Sequence, residues 1–150
     1  MSNYDRIQNG LQAADAGIGL LGLGIGGIIS LVNAIKYEKC KIFIRNNHCH
    51  NIGVIIDLPE ENKIKGWYNF EPGECSSIHT TKRKTYKVGI HAKCNYCGAN
   101  WGNLYHKIIP DDGEPFEIES NENRIWGREV FFFENDGDLR KKEEYTFILK

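Results

Sequence analysis

The residues best suited to chemistry in this sequence are two short clusters of cysteine and histidine. Cys94 and Cys97 belong to a C-x-x-C-G pattern, and a His-Cys-His run occupies residues 48–50. Thiolate and imidazole are ligands that zinc prefers, and a structural zinc site usually has four of them. Any residue of the His-Cys-His run could supply a further ligand beside the two cysteines. The candidate ligand set that we adopt is Cys94, Cys97, His50 and Cys49.

The same cysteines fit two other interpretations. The chain has five cysteines, an odd number, and contains no second C-x-x-C. Some of them could form a disulfide, or all could be free thiols in turns, because the spacing alone does not decide between these states. Cys75 and His79 form a further pair, but four strand residues span about 13 Å, which is too far for one ion unless the chain bends. We therefore expect no cofactor, with a zinc ion at these cysteines and histidines as the alternative.

The sequence contains no recognisable catalytic pattern. It lacks the G-x-S-x-G elbow, the H-E-x-x-H helix and the P-loop. Residues 16–27 match G-x-G-x-x-G twice, but no strand precedes them and no acidic residue follows at the spacing of a βαβ unit, which excludes dinucleotide binding. We therefore expect a protein that is not an enzyme.

The charges of the chain nearly cancel. There are 19 Lys plus Arg against 20 Asp plus Glu, so no overall field favours nucleic acid as a partner. One local basic run consists of Lys82, Arg83 and Lys84. It predicts either a patch for phosphate or lipid headgroups at the end of a hairpin or a solvated turn.

The N-terminal segment differs from the rest of the chain. Residues 17–35 hold ten Ile, Leu or Val and six glycines, with no charge. As a helix they would span about 28 Å, close to a bilayer core of about 30 Å. Six glycines would cost such a helix about 6 kcal/mol in water, so it needs lipid or a protein neighbour. Four small residues spaced four apart would form one helix-packing stripe, namely Gly22, Gly26, Ser30 and Ala34.

This segment has three remaining interpretations. It could associate with or insert into a membrane, or pack as a glycine-softened helix within its own domain or an oligomer. It could also be a cleaved secretory signal, since Val32-Asn33-Ala34 would suit the cleavage site. A spanning helix would place the C-terminal domain in the cytoplasm, because the cations follow the apolar run, whereas secretion would place it outside the cell.

From residue 40 onward the pattern is that of a β domain. Short β-branched runs occupy residues 41–45 and 52–58, and apolar residues alternate over 85–92. The runs 128–134 and 145–150 flank an Asp-Gly pair, which predicts that they form a hairpin. We expect two parts, residues 1–39 with one hydrophobic Gly-rich α-helix, and residues 40–150 as an antiparallel β-sandwich or small barrel.

The stretch GWYNFEPGEC at residues 66–75 resembles a known family. Together with IFIRNN at 42–47, YKVGIHA at 86–92 and Trp101-Gly102, it is similar to the domain-of-unknown-function 1036 family over about residues 41–150. The family consists of small, mainly bacterial proteins, often labelled as membrane proteins. The resemblance implies a β fold with envelope or membrane association and no particular chemistry. The family often has a cysteine in the first strand where Arg45 stands here, and the N-terminal helix lies outside the family core.

These observations combine into one expectation and two alternatives. We expect a non-enzymatic, membrane-associated β-sandwich protein that self-associates and inserts, or forms pores, through its N-terminal helix. Its partners would then be copies of itself and membrane lipid, and not nucleic acid. The alternatives are a soluble homo-oligomer with the apolar helix buried at an interface, and a thiol- or zinc-binding protein.

Overall fold

The computed structural model describes residues 39–82 and 84–150, which cover the predicted β domain except Arg83. The predicted N-terminal helix and its stripe of small residues lie outside the described residues. The described part is mainly β, with antiparallel sheets and a half-barrel, as the sequence predicts at this level. It includes no helix of the length and apolar character needed to cross a membrane.

The strands are short and joined mostly by turns. Two single-turn 3₁₀ helices, Pro59–Glu61 and Leu139–Lys141, are the helical elements of the described residues. In chain order the strands are β1 (Lys41–Asn46), β2 (Ile52–Leu58), β3 (Lys63–Phe70), β4 (Cys75–Thr80), β5 (Gly89–Lys93), β6 (Asn100–Trp101), β7 (Tyr105–Ile109), β8 (Phe116–Ile118), β9 (Arg128–Glu134) and β10 (Glu144–Leu149).

These strands form two sheets. The larger sheet has the order β7-β9-β5-β2-β3-β8, with β6 paired to β5 beside that path. The smaller sheet has the order β10-β1-β4. All the pairings are antiparallel except that of β1 with β10, which is parallel.

The prediction that β9 and β10 form a hairpin is wrong. β9 pairs with β5 and β7 in the larger sheet, whereas β10 pairs with β1 in the smaller one. The intervening segment crosses between the sheets because Leu139 is buried in the core that both sheets share. The side chain of Asn135 holds the start of this crossing, where it accepts a hydrogen bond from the Val88 N–H at 2.8 Å and donates one to the Gly137 carbonyl at 2.9 Å.

Strand β2 lies at the centre of the fold, and all seven of its residues are buried. Alternate residues point to opposite faces of a sheet, so each face of β2 belongs to a different core. Val54 and Ile56 pack with Ile44 and Phe147 of the smaller sheet. Ile55 packs on the other face in a second cluster with Ile64, Ile109, Val130 and Phe132.

The second face of β2 also buries a carboxyl group. Asp57 accepts hydrogen bonds from the hydroxyl of Tyr105 at 2.8 Å and the hydroxyl of Ser120 at 2.6 Å. Burial raises the pKa of Asp57 above its ordinary value, although both hydrogen bonds act in the opposite direction. Burial, followed by the charge of Asp57, also raises the pKa of Tyr105, so the phenol remains protonated and continues to donate.

This network depends on the absence of a side chain at Gly89. A Cβ at that position would overlap the hydroxyl of Tyr105. We expect Gly89→Ala to lower the free energy of unfolding by about 1–3 kcal/mol, because Tyr105 must move away from Asp57. Urea unfolding of Gly89→Ala, Tyr105→Phe and the double variant measures the effect. The double variant should lose less than the sum of the two single changes, and strict additivity would contradict the overlap.

Candidate metal centre

Four side chains from two distant parts of the chain meet at one end of the domain. One ligand atom from each of His48, His50, Cys94 and Cys97 lies within 4.8 Å of the corresponding atoms of the other three. Within this group, Nε2 of His48 lies 3.1 Å from Sγ of Cys97. We call these four residues the metal cluster.

The histidines lie in the loop between β1 and β2, which Asn46 holds in place. This buried side chain accepts a hydrogen bond from the His48 N–H at 2.9 Å. Its amide group donates to the His50 carbonyl at 2.9 Å and to the Phe70 carbonyl at 3.0 Å. A single carboxamide therefore fixes the backbone at both histidines and attaches the loop to the end of β3.

The cysteines lie in the tight turn that joins β5 to β6. The Cys94 N–H donates to the Ala99 carbonyl at 2.7 Å, and the Gly98 N–H donates to the Cys94 carbonyl at 3.0 Å. Inside this turn the Cys97 N–H points at Sγ of Cys94 at 3.4 Å. Backbone N–H groups aimed at a sulfur stabilise its thiolate form, which is the form that binds a metal.

The environment of Cys94 favours its thiolate. Burial raises the pKa of this thiol, but hydrogen bonds from Cys97 and from the backbone of Tyr96 outweigh burial, so the pKa lies below its ordinary value. Cys40 provides a contrast, because burial raises its pKa to about 11 despite the nearby charge of Lys142. Of these two buried cysteines, only Cys94 therefore has a lowered thiol pKa.

Aromatic rings pack around the two imidazoles. The His50 ring stacks on Tyr96, with ring centroids 4.3 Å apart, and the His48 ring meets Trp101 edge-on at 5.3 Å. The indole N–H of Trp101 donates in turn to the carbonyl of Lys150 at 3.2 Å. These contacts limit the orientations open to both histidine side chains.

The donor set and its spacing fit zinc. Bonds of about 2.0–2.3 Å in a tetrahedral site place the ligand atoms about 3.3–3.8 Å apart, so an ion would draw the widest pair of the metal cluster together by about 1 Å. Two sulfurs and two nitrogens in a tetrahedral arrangement are typical of zinc. Four protein ligands would leave no position open for a substrate, which is the pattern of a structural site.

The structure brings together three of the four residues in the set that the sequence predicts. Cys94, Cys97 and His50 belong to the metal cluster, with His48 as the fourth member instead of Cys49. Sγ of Cys49 lies 3.2 Å from Nδ1 of His50, beside the cluster. No local signal favours His48 over Cys49, because residues 48–50 lie in a bend and the period-two alternation of a strand does not apply to them.

The remaining candidate residues lie elsewhere. All five cysteines fall within the described residues, and each is a free thiol. His79 pairs with Glu61 at 2.8 Å rather than with Cys75. From the predicted basic patch, Lys82 and Lys84 are exposed in the connection between β4 and β5, while Arg83 lies outside the described residues.

Comparison with known proteins assigns no function to this site. No protein-family model matches the chain, and no curated protein or solved structure is significantly similar to it. The resemblance to the domain-of-unknown-function 1036 family stays a prediction. Interpretation of the metal cluster therefore rests on its geometry and ligand chemistry.

The role of Asn46 gives a prediction that needs no knowledge of the metal. We expect Asn46→Ala to lower the free energy of unfolding by about 3 kcal/mol, because three hydrogen bonds of about 1 kcal/mol each are lost. Asn46→Asp should also be unfavourable, since a carboxylate cannot donate to the His50 and Phe70 carbonyls. Urea unfolding checks both variants.

The matched control is Asn47→Ala. Its side chain is exposed, and its backbone N–H, which donates to the Leu149 carbonyl at 2.7 Å, is kept in the variant. We expect a change within about 0.5 kcal/mol at this position. Equal losses at the two asparagines would contradict the role assigned to Asn46.

Proposed function

We propose that this domain is a zinc-binding β-sandwich module without catalytic activity, in which one Zn²⁺ is held by His48, His50, Cys94 and Cys97. The observation that carries the proposal is the approach of these four ligand atoms to within 4.8 Å of one another. The histidines lie 44 or more positions before the cysteines in the chain, so local sequence alone does not bring the two groups together.

The geometry supports zinc over the other states of these cysteines. A disulfide between Cys94 and Cys97 would need no histidine, yet Nε2 of His48 lies 3.1 Å from Sγ of Cys97. The lowered pKa of Cys94, for which burial is outweighed by hydrogen bonds from Cys97 and Tyr96, supports a thiolate ligand. These contacts give both imidazoles a role that neither alternative explains.

The ion would act as a cross-link. The loop that carries the histidines joins β1 of the smaller sheet to β2 of the larger one, while the cysteines end β5 of the larger sheet. An ion bound to both groups would tie the junction between the sheets to the β5–β6 turn. Because an unfolded chain rarely holds such a site, binding free energy becomes folding free energy.

A metal titration tests the proposal. We expect the metal-free protein to bind one Zn²⁺ and to bind Co²⁺ with the visible absorption of a tetrahedral ion and the ultraviolet charge-transfer bands of thiolate ligands. Saturating Zn²⁺ should raise the unfolding temperature. A full-length protein that binds neither ion, with its thiols reduced, contradicts the proposal.

Variants identify the ligands. His48→Ala and Cys97→Ser should weaken Zn²⁺ binding by more than the roughly 10–100-fold loss that follows removal of a group that only supports a ligand. Cys49→Ser should fall within that smaller range. Cys75→Ser, an exposed cysteine on another strand, should leave affinity unchanged and serves as the control. Loss of binding in Cys49→Ser with retention in His48→Ala would instead assign the set predicted from the sequence.

A second function, association with membranes and with copies of the chain, is supported by the N-terminal sequence. The uncharged run at 17–35 is apolar and glycine-rich, and it carries the stripe of small residues that lets helices approach closely. In this proposal the β module remains at the membrane surface and the N-terminal segment inserts. Localisation would follow from that segment, with the zinc module on the cytoplasmic side of a spanning helix.

Vesicle binding tests this second function. We expect Gly26→Leu to weaken self-association or insertion, because a large side chain on the stripe of small residues separates the helices. Gly24→Leu changes the same residue type off the stripe and is the matched control. Co-sedimentation with anionic phospholipid vesicles, dye leakage and gel filtration supply the readouts. Full-length protein that remains wholly in the supernatant, or identical behaviour of the two variants, contradicts the idea.

A further inference from the structure

A groove runs across one face of the larger sheet and ends beside the metal cluster. It consists of two connected cavities of about 500 Å³ and about 340 Å³. Both are lined by Gly53, Asn69 and Asn95, which makes them two lobes of one depression. These volumes lie in the range of pockets that bind small molecules.

Gly53 of β2 lies where the two cavities of the groove adjoin. Asp57, Ile55 and Gly53 point to the same face of the sheet, and the first two fill it with a carboxyl group and an apolar side chain. At the third position Gly53 has no side chain, and the Trp67 ring lies against its backbone between Asn69 on β3 and Lys93 on β5, which pair with Gly53 on either side. A Cβ there would lie 3.0 Å from the Trp67 ring.

Two aromatic rings wall the groove. Trp67 lines the smaller lobe, and its indole nitrogen is buried with no hydrogen-bond partner among the described residues. Its ring makes a T-shaped contact with the ring of His91, with the ring centroids 5.9 Å apart. Tyr96 lines the larger lobe, is 81 % exposed and stacks on His50 by one face only, which leaves ring surface free.

The polar lining offers donors and acceptors but no net charge. Asn69 and Asn95 are exposed, and each presents a carboxamide that both donates and accepts. The charged residues of the smaller lobe cancel, with Arg128 ion-paired to Asp111 at 3.2 Å. The two cations and two anions concerned are Lys93, Arg128, Asp111 and Asp112.

These features disfavour several classes of ligand. A balanced lining has no field to hold a polyanion. A peptide strand would need a free sheet edge, but β2, β3 and β5 are interior strands paired on both sides. Arg128 already neutralises one of the two aspartates, which disfavours a divalent cation at that point.

We propose that this groove binds a neutral oligosaccharide. The carboxamides of Asn69 and Asn95 pair with neighbouring sugar hydroxyls, because each amide offers a donor and an acceptor side by side. The free face of Tyr96 and the exposed part of the half-buried Trp67 ring carry the negative side of the ring quadrupole and attract the C–H faces of pyranose rings. The two lobes take successive sugar units.

The site is separate from the metal cluster at its Trp67 end. Asn95 and Tyr96 lie between the two cysteine ligands in the chain. The proposed zinc would therefore restrict the movement of the part of the groove that these two residues line. Trp67 and Asn69 lie on β3 and need no metal to hold them. Binding of sugar and binding of zinc therefore fail independently in experiments on these two residues.

The test uses full-length, zinc-supplemented protein and four defined neutral tetrasaccharides, namely cellotetraose, maltotetraose, tetra-N-acetylchitotetraose and mannotetraose. Saturation-transfer NMR and calorimetry measure binding. We expect at least one of them to bind, and we expect Asn69→Ala and Trp67→Phe each to weaken that binding by about tenfold or more. Trp67→Phe keeps an apolar ring in the core while it reduces the aromatic surface that lines the smaller lobe.

Matched controls are Asn47→Ala and Trp126→Phe, which change exposed residues that do not line the groove. Both should bind within about twofold of the unchanged protein. Co²⁺ spectra of Asn69→Ala should match those of the unchanged protein and confirm that the fold is intact. The proposal is overturned if no tetrasaccharide binds at about 10 mM, a concentration that reveals even weak sites. It is also overturned if Asn69→Ala leaves affinity unchanged, or if a heparin fragment or an uncharged Ala/Gly hexapeptide binds more tightly.

Discussion

The burial of β2 on both faces is the constraint on which the rest of the structure depends. One face packs against the smaller sheet and the other against Phe132, Ile109 and their neighbours, so neither sheet can shift without exposing a core. The start of β2 fixes the histidine loop, and its end fixes Asp57 beneath two hydroxyl donors. The position of β2 therefore determines where the metal cluster and the groove lie.

The turn between β5 and β6 serves two neighbouring surfaces with consecutive residues. Cys94 and Cys97 face the histidines, while Asn95 and Tyr96 face the groove. Tyr96 connects the two, because its ring stacks on His50 and also lines the larger lobe. A change in the geometry of this turn would therefore alter both surfaces. The proposed zinc would hold the turn in one geometry and so preserve both.

Small or polar residues within the cores shape the domain as much as its apolar ones do. Gly53 lets the Trp67 ring lie close against β2, and Gly89 admits the Tyr105 hydroxyl. Asn46 replaces main-chain hydrogen bonds that the histidine loop cannot make within a sheet. Each of these positions is buried, so the packing around it leaves little freedom to adjust.

The sequence by itself determined the mainly β class, the runs that became β1 and β2, and three of the four residues of the metal cluster, because alternation and ligand chemistry are local properties. It did not determine that β10 would pair in parallel with β1 rather than form a hairpin with β9, since burial of Leu139 between the sheets outweighed the Asp-Gly turn signal. Nor could it choose His48 over Cys49 or reveal the groove above Gly53. Both depend on which distant residues meet when two sheets pack, and only the tertiary structure decides that.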